Sequence, residues 1–344
     1  MEKIKIVQIG VTHEHADGKM YALKKLPDVF DLVGYVDDRE FSTTPRTYSR
    51  DYVTPYEGVP QLSLEEALNY PGLQATVVEV PNNELVPIAL RCMERNLAMH
   101  MDKPAGEDLD LYKELLDGCA ARNLPFQMGF MFRGNPAFQF CISAIRQKWL
   151  GEIFQLEADM NHSYGNDDYH EYVGKFPGGL MYILGCHLID FVISALGCPE
   201  NVIPILKSAP GMPNHIKNNC TAILEYPNAV AILKSCSREI GCTAQRRMKI
   251  AGTNGSISFS PLERFDGQPV ELTLQLREAA GNLPAGKHLL CFPMPEDRYT
   301  EQLRELAAMI KGECKSSYTY QHDYLVHHIT LISSGINDPN TLRR

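Results

Sequence analysis

The chain contains no Cys-x-x-Cys pair, no Cys/His set at zinc spacing, and no run of Lys and Arg long enough to form a basic face. Its ten cysteines are scattered, at positions such as Cys92, Cys119, Cys186 and Cys314. That usage argues against a disulfide or zinc scaffold and suits reduced thiols in the cytoplasm. The missing basic run, with a net charge of −9, argues against nucleic acid as the main partner. No internal repeat and no low-complexity linker is present. The opening "MEKIKIVQIG" runs directly into a strand pattern, so no targeting segment is expected. The longest apolar stretch, residues 178–197, approaches membrane-spanning length. It carries His187 and Asp190 at its centre, where ionisable groups are costly in lipid, so a buried helix of a soluble enzyme is expected.

At 344 residues the chain is long enough for two domains. Its first third alternates strand and helix patterns. Strands are expected at residues 4–9, 31–36, 74–80, 97–101 and 125–131. Helices are expected at 16–26, 83–96 and 108–123. The alternation predicts a parallel sheet with crossover helices. The segment "QATVVEV" (74–80) reads as an apolar run, as a strand covered on both faces requires. After about residue 125 strand patterns follow one another, joined by the turns "YPNA" (226–229) and "GTNGS" (252–256). Asn-Gly is a strong hairpin signal. A large, mostly antiparallel sheet is therefore expected, covered on one face by a helix over 178–197. Two late helices are expected at 298–311 and 321–334. Residues 161–177 read as a long polar, aromatic loop, a length that is often functional.

The first turn poses the main question. A pyrophosphate held at a helix N-terminus needs exposed N–H groups and close approach, usually granted by three glycines. Gly10 holds the first place, but Thr12 and His15 stand where the other two belong. The Thr12 hydroxyl, with His13 and His15, offers side-chain donors instead. Asp37, ending the second strand, is placed to accept ribose hydroxyls, which favours NAD over NADP, and Asp38 beside it reads as a solvated turn acid. Arg39 and Arg46 are the counter-argument, since either is able to meet a 2′-phosphate.

Several segments in order resemble the glucose–fructose oxidoreductase / inositol dehydrogenase (Gfo/Idh/MocA) family. They are residues 78–109 with Asp102-Lys103-Pro104, residues 131–140 with Arg133-Gly134-Asn135-Pro136, the Gly-Gly…His-x-x-Asp stretch of 178–202, and the hairpin 250–259. The resemblance implies an α/β protein. Residues 1–124 would be a dinucleotide-binding Rossmann domain with a doubly wound parallel sheet. Residues 125–344 would be a substrate-binding and oligomerisation domain with a large, mostly antiparallel open sheet. It also implies a nicotinamide cofactor (NAD, with NADP possible), a sugar, polyol or glycoside substrate, and dimers or tetramers. Pro81, Asn82 and Asn83 would touch the cofactor.

Hydride transfer from a carbinol requires a base at the hydroxyl and a cation beside the developing alkoxide. The resemblance gives Lys103 the second role, and Lys103 follows a strand at the sheet edge where ligands bind. His187 would be the base. The family commonly has an acid four residues earlier, where this chain has Ile183, so the usual relay is in doubt. A lone histidine on an apolar helix is otherwise a core residue. Asp190 is expected to anchor structure. Asn161, His162, Tyr164, Asp168 and His170 suit polyol recognition. His162 and His170 with Asp167 or Asp168 lack metal-ligand spacing, and no metal site is expected. Arg133 either lines the pocket or anchors structure. Two further readings stand beside the dehydrogenase. One is an enzyme that uses bound NAD transiently for oxidation and elimination on a glycoside. The other is a non-catalytic NAD-binding sensor of the same fold.

Overall fold

The computed structural model describes residues 3–43, 51–163, 167–264 and 266–343, and within these the side chains of Asp167, Cys242 and Arg343 are set aside. The chain divides into two compact units, Met1–Met131 with Asp297–Tyr324, and Phe132–Glu296 with Leu325–Arg344.

The first unit opens with β1 (Ile4–Ile9), α1 (Ala16–Lys24) and β2 (Phe30–Val36). It continues through β3 (Gln61–Leu62), α2 (Leu64–Leu68), β4 (Ala75–Val78), α3 (Leu85–Glu94), β5 (Ala98–Met101), α4 (Leu109–Arg122) and β6 (Phe126–Met128). Among the described residues the strands form one six-stranded sheet in the order β3-β2-β1-β4-β5-β6, every pair parallel. The order reverses between β1 and β4, and such a switch point opens a crevice at the carboxyl ends of the strands. Every residue of β4, β5 and β6 is buried, which explains their mostly apolar composition, with Thr76, His100 and Gln127 as the buried polar members. β3 and α2 escaped the periodicity argument because they are short. α2 nonetheless carries a complete capping box, Ser63 with Glu66.

The second unit begins with α5 (Pro136–Arg146), β7 (Ile153–Asp159) and α6 (Asp167–Gly174). A π-helical turn (Met181–Gly185) runs into α7 (Cys186–Leu196). Then come β8 (Asn201–Lys207), β9 (Asn219–Glu225), β10 (Val230–Cys236), α8 (Cys242–Gln245), β11 (Arg247–Gly252), β12 (Gly255–Phe259), β13 (Val270–Leu276) and β14 (Gly286–Phe292). The eight strands form one sheet, β14-β13-β12-β11-β7-β10-β9-β8, antiparallel except where β7 meets β10. Both expected turns are present, and Tyr226 N donates to Ala229 O at 2.9 Å in the first. In β9, β10 and β13 every second residue is buried, so one face of the sheet meets α7 and the preceding turn while the other does not.

Two expectations need correction. Residues 161–177 are not a continuous loop, because α6 occupies their centre. Its apolar members Tyr169, Tyr172 and Val173 are buried, and that burial outweighs the polar composition. Residues 178–197 are not one α-helix either. The π-turn at Met181–Gly185 precedes α7, so the α-helical spacing assumed between 183 and 187 does not strictly apply. α5 was missed although its cap was legible: Asn135 Oδ1 accepts from Ala137 N at 3.0 Å, and Pro136 takes the first helical position.

The chain closes with α9 (Thr300–Ile310) and α10 (Tyr320–Ser333). α9 belongs to the first unit, where Leu303 and Ala307 join Ile4, Ile6, Ala22, Leu23, Ala75 and Val77 in one buried cluster. Among the described residues no helix is long and apolar enough to cross a membrane.

Candidate functional site

Gly10 ends the first strand at φ +107°, and a Cβ there would lie 2.3 Å from the Glu79 carbonyl oxygen. Only glycine fits a backbone so close to its neighbour in that conformation. Gln8 fastens the turn from below: its Nε2 donates to Gly10 O at 3.0 Å and to Ala16 O at 2.9 Å.

The Thr12 side chain is committed inside the protein. Its hydroxyl donates to Asp38, whose other oxygen accepts from Val11 N at 2.7 Å and Thr12 N at 3.0 Å. Asp38 is thus no solvated turn acid; it is fully buried and caps the turn. No local pattern announces this, since the three donors lie more than twenty positions away. Burial raises the Asp38 carboxyl above its ordinary value, against the pull of Thr12 and the two amides. Asp37 instead meets Arg39, with Nε at 2.9 Å and Nη2 at 2.5 Å. Burial pushes Asp37 upward, but the Arg39 hydrogen bonds outweigh it and hold the carboxyl below its usual range. Arg46 lies outside the described residues.

A buried ionic cluster fills the carboxyl edge of the sheet beside this turn. Its members are His13, His15 and Lys19 from the turn and α1, Glu79 from beyond β4, and His100 and Asp102 from β5 and its end. Asp102 Oδ2 lies 2.7 Å from His15 Nδ1 and 3.4 Å from His13 Nδ1. Glu79 Oε2 lies 3.5 Å from His13 Nδ1, and Glu79 Oε1 accepts from Lys19 Nζ at 3.1 Å. Lys19 Nζ also contacts His100 Nε2 and lies 4.8 Å from the centre of the Tyr299 ring. His100 Nδ1 in turn meets Gln127 Oε1 at 2.8 Å. Burial pushes Asp102 upward, yet His15, His13 and Lys19 prevail and hold it well below the usual carboxylate range. Glu79 goes the other way: burial and the charge of Asp102 raise it well above its ordinary value. Burial lowers His15, partly offset by Asp102.

Lys103 follows directly and is only 2% exposed. Its N–H donates to Asp102 Oδ1 at 2.6 Å, and its carbonyl accepts from Asn82 Nδ2 at 2.8 Å. Pro81 and Asn82 are buried, and Asn83 is exposed. The structure therefore gathers Gly10, Thr12, His13, His15, Pro81, Asn82 and Lys103 at one edge of one sheet.

In the second unit His187 is buried in α7, edge-on to the Phe132 ring at 5.8 Å. Asp190 takes Arg133 in a buried two-pronged ion pair, with Nε and Nη2 at 3.1 and 2.6 Å from Oδ1. Of the two roles open to Arg133, this geometry is an anchor's. Asn161 accepts from Cys236 N at 2.8 Å and donates to Glu239 at 2.6 Å. Arg246, itself buried against Glu263, contacts His162 Nε2 at 2.6 Å. His170 meets Ser237 Oγ at 2.9 Å, and Asp168 is exposed on α6. Tyr164 lies outside the described residues.

Sequence reasoning missed Lys19, Glu79, His100 and Asp38. Two signals were present. Lys19 shares a helix face with Ala16, Met20 and Leu23, all buried, and Glu79 interrupts the apolar run of β4. A charge placed where the pattern demands an apolar residue implies a buried partner.

The class comes first: an α/β protein whose first unit has the doubly wound strand order of dinucleotide-binding folds and whose second is built on a broad, mostly antiparallel sheet. Residues 138–258 match the model of the GFO/IDH/MocA C-terminal domain. An uncharacterized oxidoreductase of Schizosaccharomyces pombe is 27% identical over 320 residues, covering 88% of this chain and 84% of that one. The trans-1,2-dihydrobenzene-1,2-diol dehydrogenase of Bos taurus is 23% identical over 201 residues, 56% of each. A solved structure of a putative NADPH-dependent oxidoreductase from Desulfitobacterium hafniense superposes with a TM-score of 0.75 at 16% identity, covering 97% of this chain and 95% of its own. Residues 138–258 thus resemble the C-terminal domain of the Gfo/Idh/MocA family, and the full-length relative is named an oxidoreductase.

Proposed function

We propose that this protein is a nicotinamide-dependent oxidoreductase acting on a carbinol or keto group of a small hydroxylated substrate: a sugar, a polyol, a glycoside or a cyclic diol. The observation that carries the reading is Lys103, a buried lysine at the carboxyl edge of a doubly wound sheet, one strand from the switch point. Asn82 and Asp102 hold its backbone on both sides, so its position is fixed before any ligand arrives. The dihydrodiol dehydrogenase among the relatives supports a ring bearing adjacent hydroxyls.

The first unit suits the cofactor at its adenosine end. Gly10 lets a ligand approach the backbone, and Asp37 ends β2 where ribose hydroxyls are accepted, which favours NAD over NADP. At the phosphates, His13 and His15 offer side-chain donors where the glycine pattern is broken, while Asp38 holds the turn in shape. When bound, the nicotinamide supplies the hydride acceptor. Lys103 stabilises negative charge on the substrate oxygen. His187 is assigned the proton, on the family resemblance, because imidazole is a suitable general base. Residues 161–170, with Asp168 exposed, and the second unit as a whole are assigned to the substrate. Its sheet leaves Ile203, Ile205, Val230 and Leu289 exposed on strands β8, β10 and β14, which supports a homo-oligomer.

The experiment is a panel of cyclic diols, inositols, sugars and glycosides with NAD and NADP, following reduced cofactor and substrate loss together. Reduced cofactor formed in step with substrate loss, and lost in Lys103→Ala, is the expected result. Substrate loss without reduced cofactor would point to the transient-oxidation reading. No turnover with any member, despite cofactor binding, would favour a sensor.

A further inference from the structure

The cluster at the head of α1 has the composition of a metal site. His13 and His15 come from the turn after β1, Glu79 from beyond β4, and Asp102 from the end of β5. His13, His15 and Asp102 each bring one nitrogen or oxygen within 4.8 Å of the others. His13 Nδ1 stands 3.4 Å from Asp102 Oδ2 and 3.5 Å from Glu79 Oε2, and His15 Nδ1 stands 2.7 Å from the same Asp102 oxygen. Tetrahedral donors at about 2.0–2.2 Å from one ion stand roughly 3.5 Å apart. Small side-chain adjustments would therefore close His13, His15 and Asp102 around a common centre, with Glu79 Oε2 beside His13 as the adjoining fourth donor.

Each carboxylate is divided in the manner of a metal ligand. One oxygen is tied to the protein: Glu79 Oε1 to Lys19 Nζ at 3.1 Å, and Asp102 Oδ1 to Lys103 N at 2.6 Å. The other oxygen faces the imidazoles. Glu79 Oε2 is fully buried and accepts no hydrogen bond. A buried carboxylate oxygen in that state is costly unless a cation faces it. Lys19 is one such cation, but it is 3.9 Å from Asp102 Oδ2 and is shared with His100. Ligands whose remaining atoms are fixed by neighbouring hydrogen bonds are the usual partners of a bound metal.

We propose that His13, His15, Glu79 and Asp102 form a binding site for a divalent first-row transition ion, zinc by its nitrogen and oxygen donors, at the carboxyl edge of the first sheet. His15 is the partly exposed member, so the ion enters on its side. The site takes His13 and His15, which the proposed function sets at the cofactor phosphates, so metal and cofactor binding are measured separately.

The test uses the full chain, stripped with chelator and then dialysed against zinc or cobalt(II) without cofactor. The expected result is about one tightly held ion per chain, with the visible absorption of a four-coordinate cobalt site. His15→Ala and Asp102→Asn should each weaken binding by at least about tenfold, since even the loss of a supporting group costs that much. Glu79→Gln provides a third variant should either fold poorly. His288→Ala, in β14, should leave binding unchanged. Well under one ion per chain, or equal binding by folded His15→Ala and Asp102→Asn proteins, would overturn the proposal and leave Lys19 as the cation of the cluster. Titration of NADH, followed by its fluorescence, separately reports whether the cofactor reading survives.

Discussion

Asp102 Oδ2 lies 2.7 Å from His15 Nδ1, joining the end of β5 to the turn after β1 across 87 positions of sequence. The contact places the acid of Asp102-Lys103-Pro104, which resembles the family's Glu-Lys-Pro, against the histidine that replaces a glycine of the cofactor turn. His15, a departure from the ordinary dinucleotide pattern, thus meets a buried acid that Lys19 also approaches at 3.9 Å.

The turn above them depends on Asp38. Asp38→Ala would leave Val11 N, Thr12 N and the Thr12 hydroxyl buried without their acceptor, at a cost of about 3 kcal/mol. Asp38→Asn keeps one oxygen for the two amides and offers its N–H to the threonine, and should cost no more than about 1 kcal/mol. Burial raises the Asp38 carboxyl in the native state. Its contribution to stability is therefore full below the unfolded value of about 3.9 and is lost as pH rises through the native value. Asp38→Asn should flatten stability against pH in that window. Urea unfolding from pH 3.5 to 7 measures both effects, and an alanine variant as stable as wild type would refute the capping role.

Arg133 and Asp190 test the anchor assignment. Asp190→Ala strands a buried guanidinium and should destabilise by about 3–5 kcal/mol. Arg133→Met with Asp190→Leu, which removes both charges, should recover most of that loss. If the double variant is no better than the single one, the ion pair is not the source of the effect.

Gly10→Ala places a methyl group 2.3 Å from the Glu79 carbonyl at a φ of +107°. The strain and the forced movement of β4 should together cost more than about 3 kcal/mol. Thermal unfolding is the readout, and a shift of only a degree or two would mean the turn relaxes freely.

Asp37 carries the cofactor preference. Wild type should bind NADH more tightly than NADPH, and Asp37→Ser should narrow the gap by removing the charge that repels a 2′-phosphate. Arg39, two residues on and paired with Asp37, would then be available to that phosphate. Fluorescence titrations of both cofactors decide the matter, and tighter NADPH binding by wild type would sink the assignment.

The alternation of apolar strands and amphipathic helices was sufficient in the sequence to define the parallel sheet, because covered strands must be apolar throughout. The period-two patterns and the Asn-Gly turn likewise announced the second sheet. The places of Gly10, Asp37 and Lys103 just beyond strand ends were legible because the strand pattern itself locates them. The rest depended on distance in sequence. His15 and Asp102, Thr12 and Asp38, and Lys19 and Glu79 are contacts between loops that only the packed sheet brings together, and charge pairing carries no periodicity to reveal it. The π-turn before α7 and the helix inside residues 161–177 were likewise decided by burial, which can overrule what local composition prefers.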